Sequence, residues 1–116
     1  MEYRRLGKSG LLVSEVGLGG NNFGGRIGEQ ESITVIHKAL DLGINFIDTA
    51  DIYSQGHSEE CVGKAVKGKR SEVIIATKFA GPMGALPNER GTSRYHILQA
   101  IEASLKRLDM EYIDLY

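Results

Sequence analysis

The spacing of hydrophobic positions changes several times along the chain, and each change predicts a different element. Tyr3 to Leu6 alternates weakly, Gly7 to Gly10 has the composition of a turn, and Leu11 to Val16 is apolar enough for a returning strand. This pattern predicts a β-hairpin with a short loop. Val16 to Gly19 then predicts a short buried strand that leads into a glycine-rich loop.

Helical spacing begins after that loop. Between Glu29 and Leu42, apolar residues recur on one face at Ile33, Ile36 and Leu40, with acidic residues in the first turn. Gly43 follows the last of these positions, as expected after a helix C-cap. The pattern therefore predicts an amphipathic helix over Glu29 to Leu42.

Two strands and a second helix are predicted next. Asn45 to Asp48 is a short apolar strand, and Ser58 is a suitable N-cap for a helix that runs through Val66 and closes at Gly68. Val73 to Thr77 is a continuous β-rich apolar run, which is typical of a parallel strand covered on both faces.

The last third of the chain continues the alternation. Phe79 to Thr92 is rich in Gly and Pro and predicts a long loop, and Ser93 caps a helix after it. The apolar face of that helix comprises Ile97, Ile101, Leu105 and Leu108. Ile113 to Tyr116 predicts the start of another strand. A hairpin followed by βαβαβαβ implies a parallel sheet with right-handed crossovers.

Composition narrows the function classes. The 116 residues allow one domain at most, and a net charge of -1 offers no basic field for nucleic acid. The single cysteine, Cys61, excludes an intrachain disulfide and a cysteine-based zinc site, and it fits a reducing cytoplasm. No apolar run approaches the roughly 18 residues of a membrane span. We therefore expect a cytoplasmic protein that binds neither nucleic acid nor membrane.

Three polar residues follow the ends of successive predicted strands. Asp48 ends one strand, Tyr53 lies in the loop after it, and Lys78 ends the next strand. An ammonium beside a phenol stabilises the phenolate, and a carboxylate keeps the ammonium charged and in place. These residue types suit a proton relay at the C-terminal edge of a barrel. The alternative is a surface Tyr, an Asp near a helix start and a solvated Lys.

The other polar features favour simpler interpretations. The glycine-rich loop fails the dinucleotide fingerprint at Asn22 and fails the P-loop pattern at Arg26, so we expect a mobile loop over an active site. No pair of histidines has metal-ligand spacing with a carboxylate. His37 is expected to pack partly buried on its helix. We expect His57 and His96 to lie at the surface and Glu59-Glu60 to be favourable first-turn charges.

Several longer stretches of the chain carry a family resemblance. They are LGKSGLLVSEVGLGG, GINFIDTADIYSQGHSEE, VIIATK and SLKRLDMEYIDLY, and together they resemble the aldo-keto reductases. The segment ERGTSRYHI, Glu89 to Ile97, is similar to the branch that includes bacterial reductases and the potassium-channel β-subunits. The resemblance extends over essentially the whole chain.

The resemblance implies a fold, a reaction and a set of site residues. The fold is α/β, a partial (β/α)₈ TIM barrel, here an N-terminal β-hairpin with about four parallel strands and three helices. The reaction is the reduction of aldehydes and ketones by NADPH bound without a Rossmann fold. Tyr53 would be the proton donor, with Lys78 and Asp48 as its catalytic partners. The residues that match the family's cofactor contacts are Gly20, Asn21, Arg26 and Asp48.

We therefore expect residues 1–116 to be the N-terminal half of an NADPH-dependent aldo-keto reductase domain, cut from a longer protein or encoded in truncated form. A complete barrel needs about 250 residues, and the resemblance places a fourth catalytic residue, a His, just beyond Tyr116. The implied partner is a small carbonyl substrate. We expect the chain alone to be inactive and to self-associate through its open barrel edges. The alternative is a non-catalytic regulatory half-barrel that acts through partner binding or self-association.

Overall fold

The computed structural model describes every residue from Met1 to Tyr116. An antiparallel hairpin comes first, made of β1 (Tyr3–Arg5) and β2 (Leu12–Ser14). A parallel sheet follows in the order β3 (Leu18–Gly19), β4 (Phe46–Asp48) and β5 (Ile74–Ala76). The α-helices are α1 (Glu29–Asp41), α2 (His57–Ala65) and α3 (Arg94–Leu108). This arrangement confirms the predicted α/β fold, a hairpin joined to part of a (β/α)₈ barrel.

The two faces of the sheet differ in burial. Ile47 of β4 pairs with Ile75 of β5, and neither side chain is exposed. Because sequential parallel strands use right-handed crossovers, the helices share that face, where α2 packs against both α1 and α3. Phe46 and Ile74 point to the other face and are only half-buried. The buried core comprises Phe23, Ile36, Ile47, Cys61, Val62, Ala65, Val66, Val73, Ile75 and Leu108.

The hairpin is hydrogen-bonded to the residues just before β4. Asn45 accepts a 2.7 Å hydrogen bond from the Ser14 N–H at Oδ1, and its Nδ2 donates to the Leu12 carbonyl at 3.1 Å. The Tyr3 hydroxyl donates to the carbonyl of Gly43 at 2.8 Å. The hairpin therefore covers the end of the sheet opposite to the strand C-termini.

Two of the predicted helix termini are confirmed. Helix α1 ends at Asp41 with Leu42 as its C-cap, and Gly43 follows with a φ of +87°, a left-handed conformation that glycine adopts without a steric penalty. Ser93 is the N-cap of α3, and its side chain accepts a 3.1 Å hydrogen bond from the His96 N–H.

The prediction that Ser58 caps α2 is wrong. The helix begins two residues earlier than predicted, at His57, with Gly56 as its N-cap at a φ of +95°. Ser58 lies inside the first turn and is fully buried, because its hydroxyl bonds the sheet edge instead of the helix N-terminus. Tertiary partners therefore compete successfully with local capping at this position.

Two of the histidine predictions are also wrong. His96 is buried at 3% exposure, since the buried stripe of α3 runs through His96, Ala100, Ser104 and Leu108. Of the predicted apolar face, Leu108 is fully buried, whereas Ile97, Ile101 and Leu105 are only half-buried. His37 is exposed, although its Nε2 hydrogen-bonds the Ala65 carbonyl at 2.8 Å. His57 lies at the surface as predicted, where it pairs with Glu60.

The predicted strand at Ile113–Tyr116 is reduced to one bridge, between Leu115 and Ala76. The Asp114 carboxylate accepts the Ile75 N–H at 2.8 Å, a bond that a neighbouring strand would otherwise make through its backbone. Asp114 also pairs with Arg70 at 2.6 Å. The Asp114 side chain thus replaces one backbone acceptor of the hydrogen-bond ladder at this edge of the sheet.

The two long loops are held in different ways. Phe23 anchors the glycine-rich loop in the core with 3% of its surface exposed. The loop from Phe79 to Thr92 is closed at its base by a 3.0 Å hydrogen bond from Gly91 N–H to the Ala80 carbonyl. None of the helices is both long and apolar enough to cross a membrane.

Candidate active site

Asp48 and Lys78 meet at the C-terminal edge of the parallel sheet. Asp48 is the last residue of β4, and Lys78 lies two residues beyond the end of β5. Backbone hydrogen bonds continue the ladder past both strands, from Thr49 N–H to the Ala76 carbonyl at 2.9 Å and from Asp51 N–H to the Lys78 carbonyl at 3.2 Å. Parallel strands in register bring these side chains to one edge, as the sequence predicted.

The Lys78 ammonium group is the centre of the cluster. Its Nζ donates to a carboxylate oxygen of Asp48, to the Thr49 carbonyl at 2.9 Å and to the Tyr53 hydroxyl at 3.2 Å. Nζ also lies 4.8 Å from the centroid of the Tyr53 ring. The structure therefore brings together the predicted set of Asp48, Tyr53 and Lys78.

The segment after Tyr53 has an unusual backbone. A 3₁₀ turn spans Tyr53–Gly56, and within it Ser54 and Gln55 have φ values of +49° and +52°. Left-handed conformations are uncommon for residues with a Cβ and cluster at functional sites. The strained pair follows directly after the phenol, so the turn fixes where the Tyr53 side chain leaves the backbone.

Electrostatics favour a charged lysine. Burial lowers the pKa of Lys78, but its hydrogen bonds with Asp48 and Tyr53 and their charges outweigh burial, so the net shift is upward from 10.5. The side chains of Lys78 and Asp48 remain 47% and 43% exposed. The ammonium is therefore held in place and accessible from solvent.

The residues expected at the cofactor lie in the glycine-rich loop beside this cluster. The Gly20 N–H donates to the Asp48 carbonyl at 2.8 Å, and a Cβ at Gly25 would lie 3.3 Å from the Cβ of Ser54. The loop thus runs between the ends of β3 and β4 and along the Tyr53 turn. Asn21 and Arg26 are exposed on it.

Sequence reasoning missed a layer of buried polar residues behind the cluster. Glu59 is fully buried and binds Thr77 and Arg107, while Ser58 bonds Gly20 and Thr49. Helical spacing from Glu59 to Val62 and Val66 places the glutamate on the buried face of α2, and this signal could have found it. Glu59 lies in the first turn of α2 as predicted, but its carboxylate binds Thr77 and Arg107 and is therefore more than a favourable charge at the helix N-terminus.

Burial raises the pKa of two more groups near this layer and of one cysteine in the core. Burial, together with the negative charge of Glu59, raises the pKa of Asp51 above 3.8. Burial and the charges of Asp51 and Glu59 raise the pKa of Tyr116 to about 12. Burial also raises the pKa of the Cys61 thiol, so this cysteine is a core residue and not a reactive thiolate.

The fold and the site define a class of protein. An acid, a phenol and a lysine at the C-terminal ends of barrel-type strands, behind a hairpin that covers the other end, agree with the resemblance stated above. The sequence model of the Aldo/keto reductase family matches residues 15–116. The chain belongs to the aldo/keto reductase family.

Relatives of two kinds are similar to this chain. Aldo-keto reductase YhdN of Bacillus subtilis (strain 168) is 46% identical over 100% of the chain and 37% of its own length. A probable voltage-gated potassium channel subunit beta of Arabidopsis thaliana is 42% identical over 99% of the chain and 36% of its length. A putative voltage-gated potassium channel subunit beta of Schizosaccharomyces pombe is 48% identical over 97% of the chain and 35% of its own length.

A solved structure confirms the architecture. The aldo-keto reductase AKR11C1 from Bacillus halodurans (holo form) superposes with a TM-score of 0.86 at 41% identity, over 100% of this chain and 39% of that one. The chain thus spans little more than a third of the length of the relatives it matches. These comparisons establish the partial TIM barrel and the oxidoreductase family.

Proposed function

We propose that this chain carries the proton-donating side of an NADPH-dependent aldo-keto reductase that reduces small aldehydes and ketones to alcohols. The observation that supports the proposal is the contact of one ammonium, Lys78 Nζ, with both Asp48 and Tyr53. A phenol held 3.2 Å from a fixed cation is suited to release a proton.

The residues present fit a nicotinamide cofactor. Tyr53 and Lys78 can deliver a proton, but they have no hydride to give, and the thiol of Cys61 lies in the core at 2% exposure. A reduced nicotinamide supplies a hydride when it is bound. On its nicotinamide side it would be held by Gly20, Asn21, Arg26 and Asp48. The exposed position of Asn21 and Arg26 on a loop that adjoins the cluster supports this assignment.

The chain's own residues would perform the proton step. As a hydride adds to the carbonyl carbon, Tyr53 donates its hydroxyl proton to the carbonyl oxygen, which gives the alcohol and leaves a phenolate. Lys78 Nζ at 3.2 Å stabilises that phenolate by about 1 kcal/mol in bulk water and about 5 kcal/mol at an effective dielectric of 20. Asp48 and the Thr49 carbonyl hold the ammonium in position.

The test uses a chimera in which residues 1–116 replace the matching 37% of the Bacillus subtilis relative. Tyr53→Phe in the chimera should lower kcat for small aldehydes by about 10²-fold or more, the scale of general acid catalysis. The affinity for NADPH should be unchanged, since only a hydroxyl is removed. Tyr95→Phe, on an exposed residue of α3, is the matched control and should have no effect. A Tyr53→Phe chimera with full turnover would overturn the assignment.

A second candidate function is a non-catalytic regulatory module. The observation that favours it is that relatives named as potassium channel subunits are as similar to the chain as the bacterial reductase, at 42% and 48% against 46%. In this case the module would act through partner binding or self-association. A folded chimera without aldehyde reduction would favour this candidate.

A further inference from the structure

Two consecutive residues of α2, Ser58 and Glu59, have no exposed surface although both are polar. Charged residues are almost never fully buried unless they are paired. Both oxygens of Glu59 are engaged, because Oε1 accepts from the Thr77 hydroxyl at 2.6 Å and Oε2 accepts from Arg107 Nε at 2.6 Å. The first turn of α2 therefore reaches the C-terminal edge of the sheet through side chains.

Glu59 fixes the end of β5. Thr77 comes directly before Lys78 and is itself buried at 2% exposure. Its side chain is bound by Glu59 on the helix face, while the next residue projects its ammonium to Asp48 on the opposite side of the strand. A short bond to a buried carboxylate restricts the strand end that carries Lys78.

Ser58 fixes the ends of β3 and β4. Its hydroxyl donates to the Gly20 carbonyl at 2.7 Å, so the Thr49 hydroxyl is the donor in the 2.7 Å bond between the two side chains. Thr49 follows Asp48, and its own carbonyl accepts from Lys78 Nζ at 2.9 Å. One serine thus joins two strand ends that flank the carboxylate.

Arg107 extends the same network to the turn that carries the phenol. Besides binding Glu59, its side chain packs on Gly56, where an added Cβ would lie 2.6 Å from Arg107 Cδ. Gly56 ends the 3₁₀ turn that begins at Tyr53. The Glu59–Arg107 pair therefore links α3, β5 and the Tyr53 turn.

We propose that Ser58 and Glu59 are positioning residues that hold the ends of β3, β4 and β5 in register, so that Lys78 Nζ meets Asp48 and Tyr53 together. Neither residue touches the reacting atoms. They act through Thr49 and Thr77, which adjoin Asp48 and Lys78 in the chain. The consequence for the rate rests on the function proposed above, whereas the consequence for the geometry of Lys78 does not.

The main variant is Thr77→Val, which keeps the shape of the side chain and removes only the donor to Glu59. In the chimera it should lower kcat by about 10- to 100-fold with little change in KM for NADPH, since displacements near 1 Å can cost 10²-fold. Thr77→Ser restores the hydroxyl and should restore kcat. Thr34→Val removes a hydroxyl that bonds the Gln30 carbonyl on α1, away from the site, and should leave kcat unchanged.

A second measurement does not depend on activity. In the 116-residue chain with ¹⁵N-labelled lysine, Thr77→Val should shift the titration midpoint of the Lys78 amino signal downward, because Nζ is less well held by Asp48. Thr34→Val should leave it in place. Ser58→Ala tests the other link and should shift the same signal even if Thr77→Val fails to fold.

The outcomes separate the two proposals. An unshifted Lys78 signal in both folded variants, or a kcat that Thr77→Val leaves unchanged, would overturn the positioning role. A shifted signal together with an inactive but folded wild-type chimera would support the positioning role and contradict the proposed reductase function.

Discussion

Lys78 holds its charge through a balance between burial and its partners. Burial alone lowers the pKa of Lys78, and the hydrogen bond with Asp48 is the largest effect that opposes it. We predict that Asp48→Asn lowers the Lys78 pKa, measured by ¹⁵N NMR of the labelled lysine. Asp41→Asn, on an exposed acid at the end of α1, is the matched control and should not change it. An unchanged Lys78 pKa in Asp48→Asn would contradict the pairing.

The same shift sets a pH dependence for stability. The pKa of Lys78 is higher in the folded chain than its ordinary value of 10.5. The folded chain therefore binds this proton more tightly, and the pairing stabilises the fold fully below about pH 10.5. Its contribution is lost as the pH rises through the raised pKa, and it is reduced further by solvent, since both side chains are more than 40% exposed.

Asp51 has the opposite effect on stability. Its carboxyl group is buried at 1% exposure, and neither of its oxygens has a hydrogen-bond partner. Because its pKa is raised in the folded chain, stability falls as the pH rises from 3.8 through the raised value. We predict that Asp51→Asn increases the free energy of unfolding near neutral pH and that this gain shrinks as the pH falls.

Urea denaturation of Asp51→Asn and wild type at several pH values checks this prediction. Asp41→Asn is again the control, since that carboxylate is exposed and should give no comparable gain. Asp51 lines a cavity of about 150 Å³ together with His96 and Gln99, so the amide has room to be hydrated. A gain that stayed constant with pH would show that Asp51 titrates normally.

The meeting of Asp48 and Lys78 at one edge of the sheet was predictable from sequence, but the buried partners that support it were not. Asp48 and Lys78 could be placed because each follows a β-rich apolar run, and strand ends in a parallel sheet meet at one edge. The spacing of Glu59 with Val62 and Val66 indicates a buried position, but nothing local identifies its partner Arg107, which lies 48 positions away. Partners that lie far apart in the sequence can be identified only from the folded structure.

At the scale of elements, α2 packs closely against the end of α3 at Gly63. A Cβ at Gly63 would collide with the Leu108 carbonyl oxygen and lie 2.7 Å from its carbonyl carbon. Gly63→Ala must therefore push α3 away, because backbone atoms cannot rotate aside. Overpacking costs about 1–3 kcal/mol, and the better helix propensity of Ala returns about 1 kcal/mol.

We predict that Gly63→Ala lowers the free energy of unfolding by about 2 kcal/mol, which is the upper end of the overpacking cost less the gain in helix propensity. Chemical denaturation measures it directly. Gly10→Ala is the matched control, since a Cβ there meets no atom within 4 Å and it should be nearly neutral. If the two alanine variants were equally stable, the close contact between α2 and α3 would be absent in solution.

The element predictions were least accurate where polar side chains take part in the packing. The strand at Ile113–Tyr116 was predicted from its apolar pattern, yet the Asp114 side chain occupies the Ile75 N–H that would extend the ladder. Likewise, the apolar residues of α3 indicated one face, whereas the buried stripe includes His96 and Ser104. The spacing of hydrophobic residues predicts a helix well, but it predicts the buried face poorly when polar side chains form hydrogen bonds in the interior.

At the scale of the whole molecule, the structure is a slab of 43 × 35 × 21 Å, flatter than a closed barrel. β3 has a neighbour on one side only, and beyond β5 there is a single bridge at Leu115. The face of the sheet away from the helices is half-buried at Phe46 and Ile74. A closed barrel has no free strand edges, whereas this chain exposes two.

We predict that the isolated chain self-associates, binds NADPH weakly and does not reduce aldehydes. Val16 and Leu115, next to the two open edges, are 55% and 42% exposed, and exposed apolar residues at unpaired edges promote pairing with a second copy. Val16→Lys should shift the chain toward monomer in light scattering, because a charge beside β3 opposes edge pairing. Leu42→Lys, at a 59% exposed position after α1, should not. A wild-type chain that stayed monomeric and bound NADPH at micromolar concentration in a fluorescence titration would contradict this prediction, and it would mean that this part of the barrel is a self-sufficient domain.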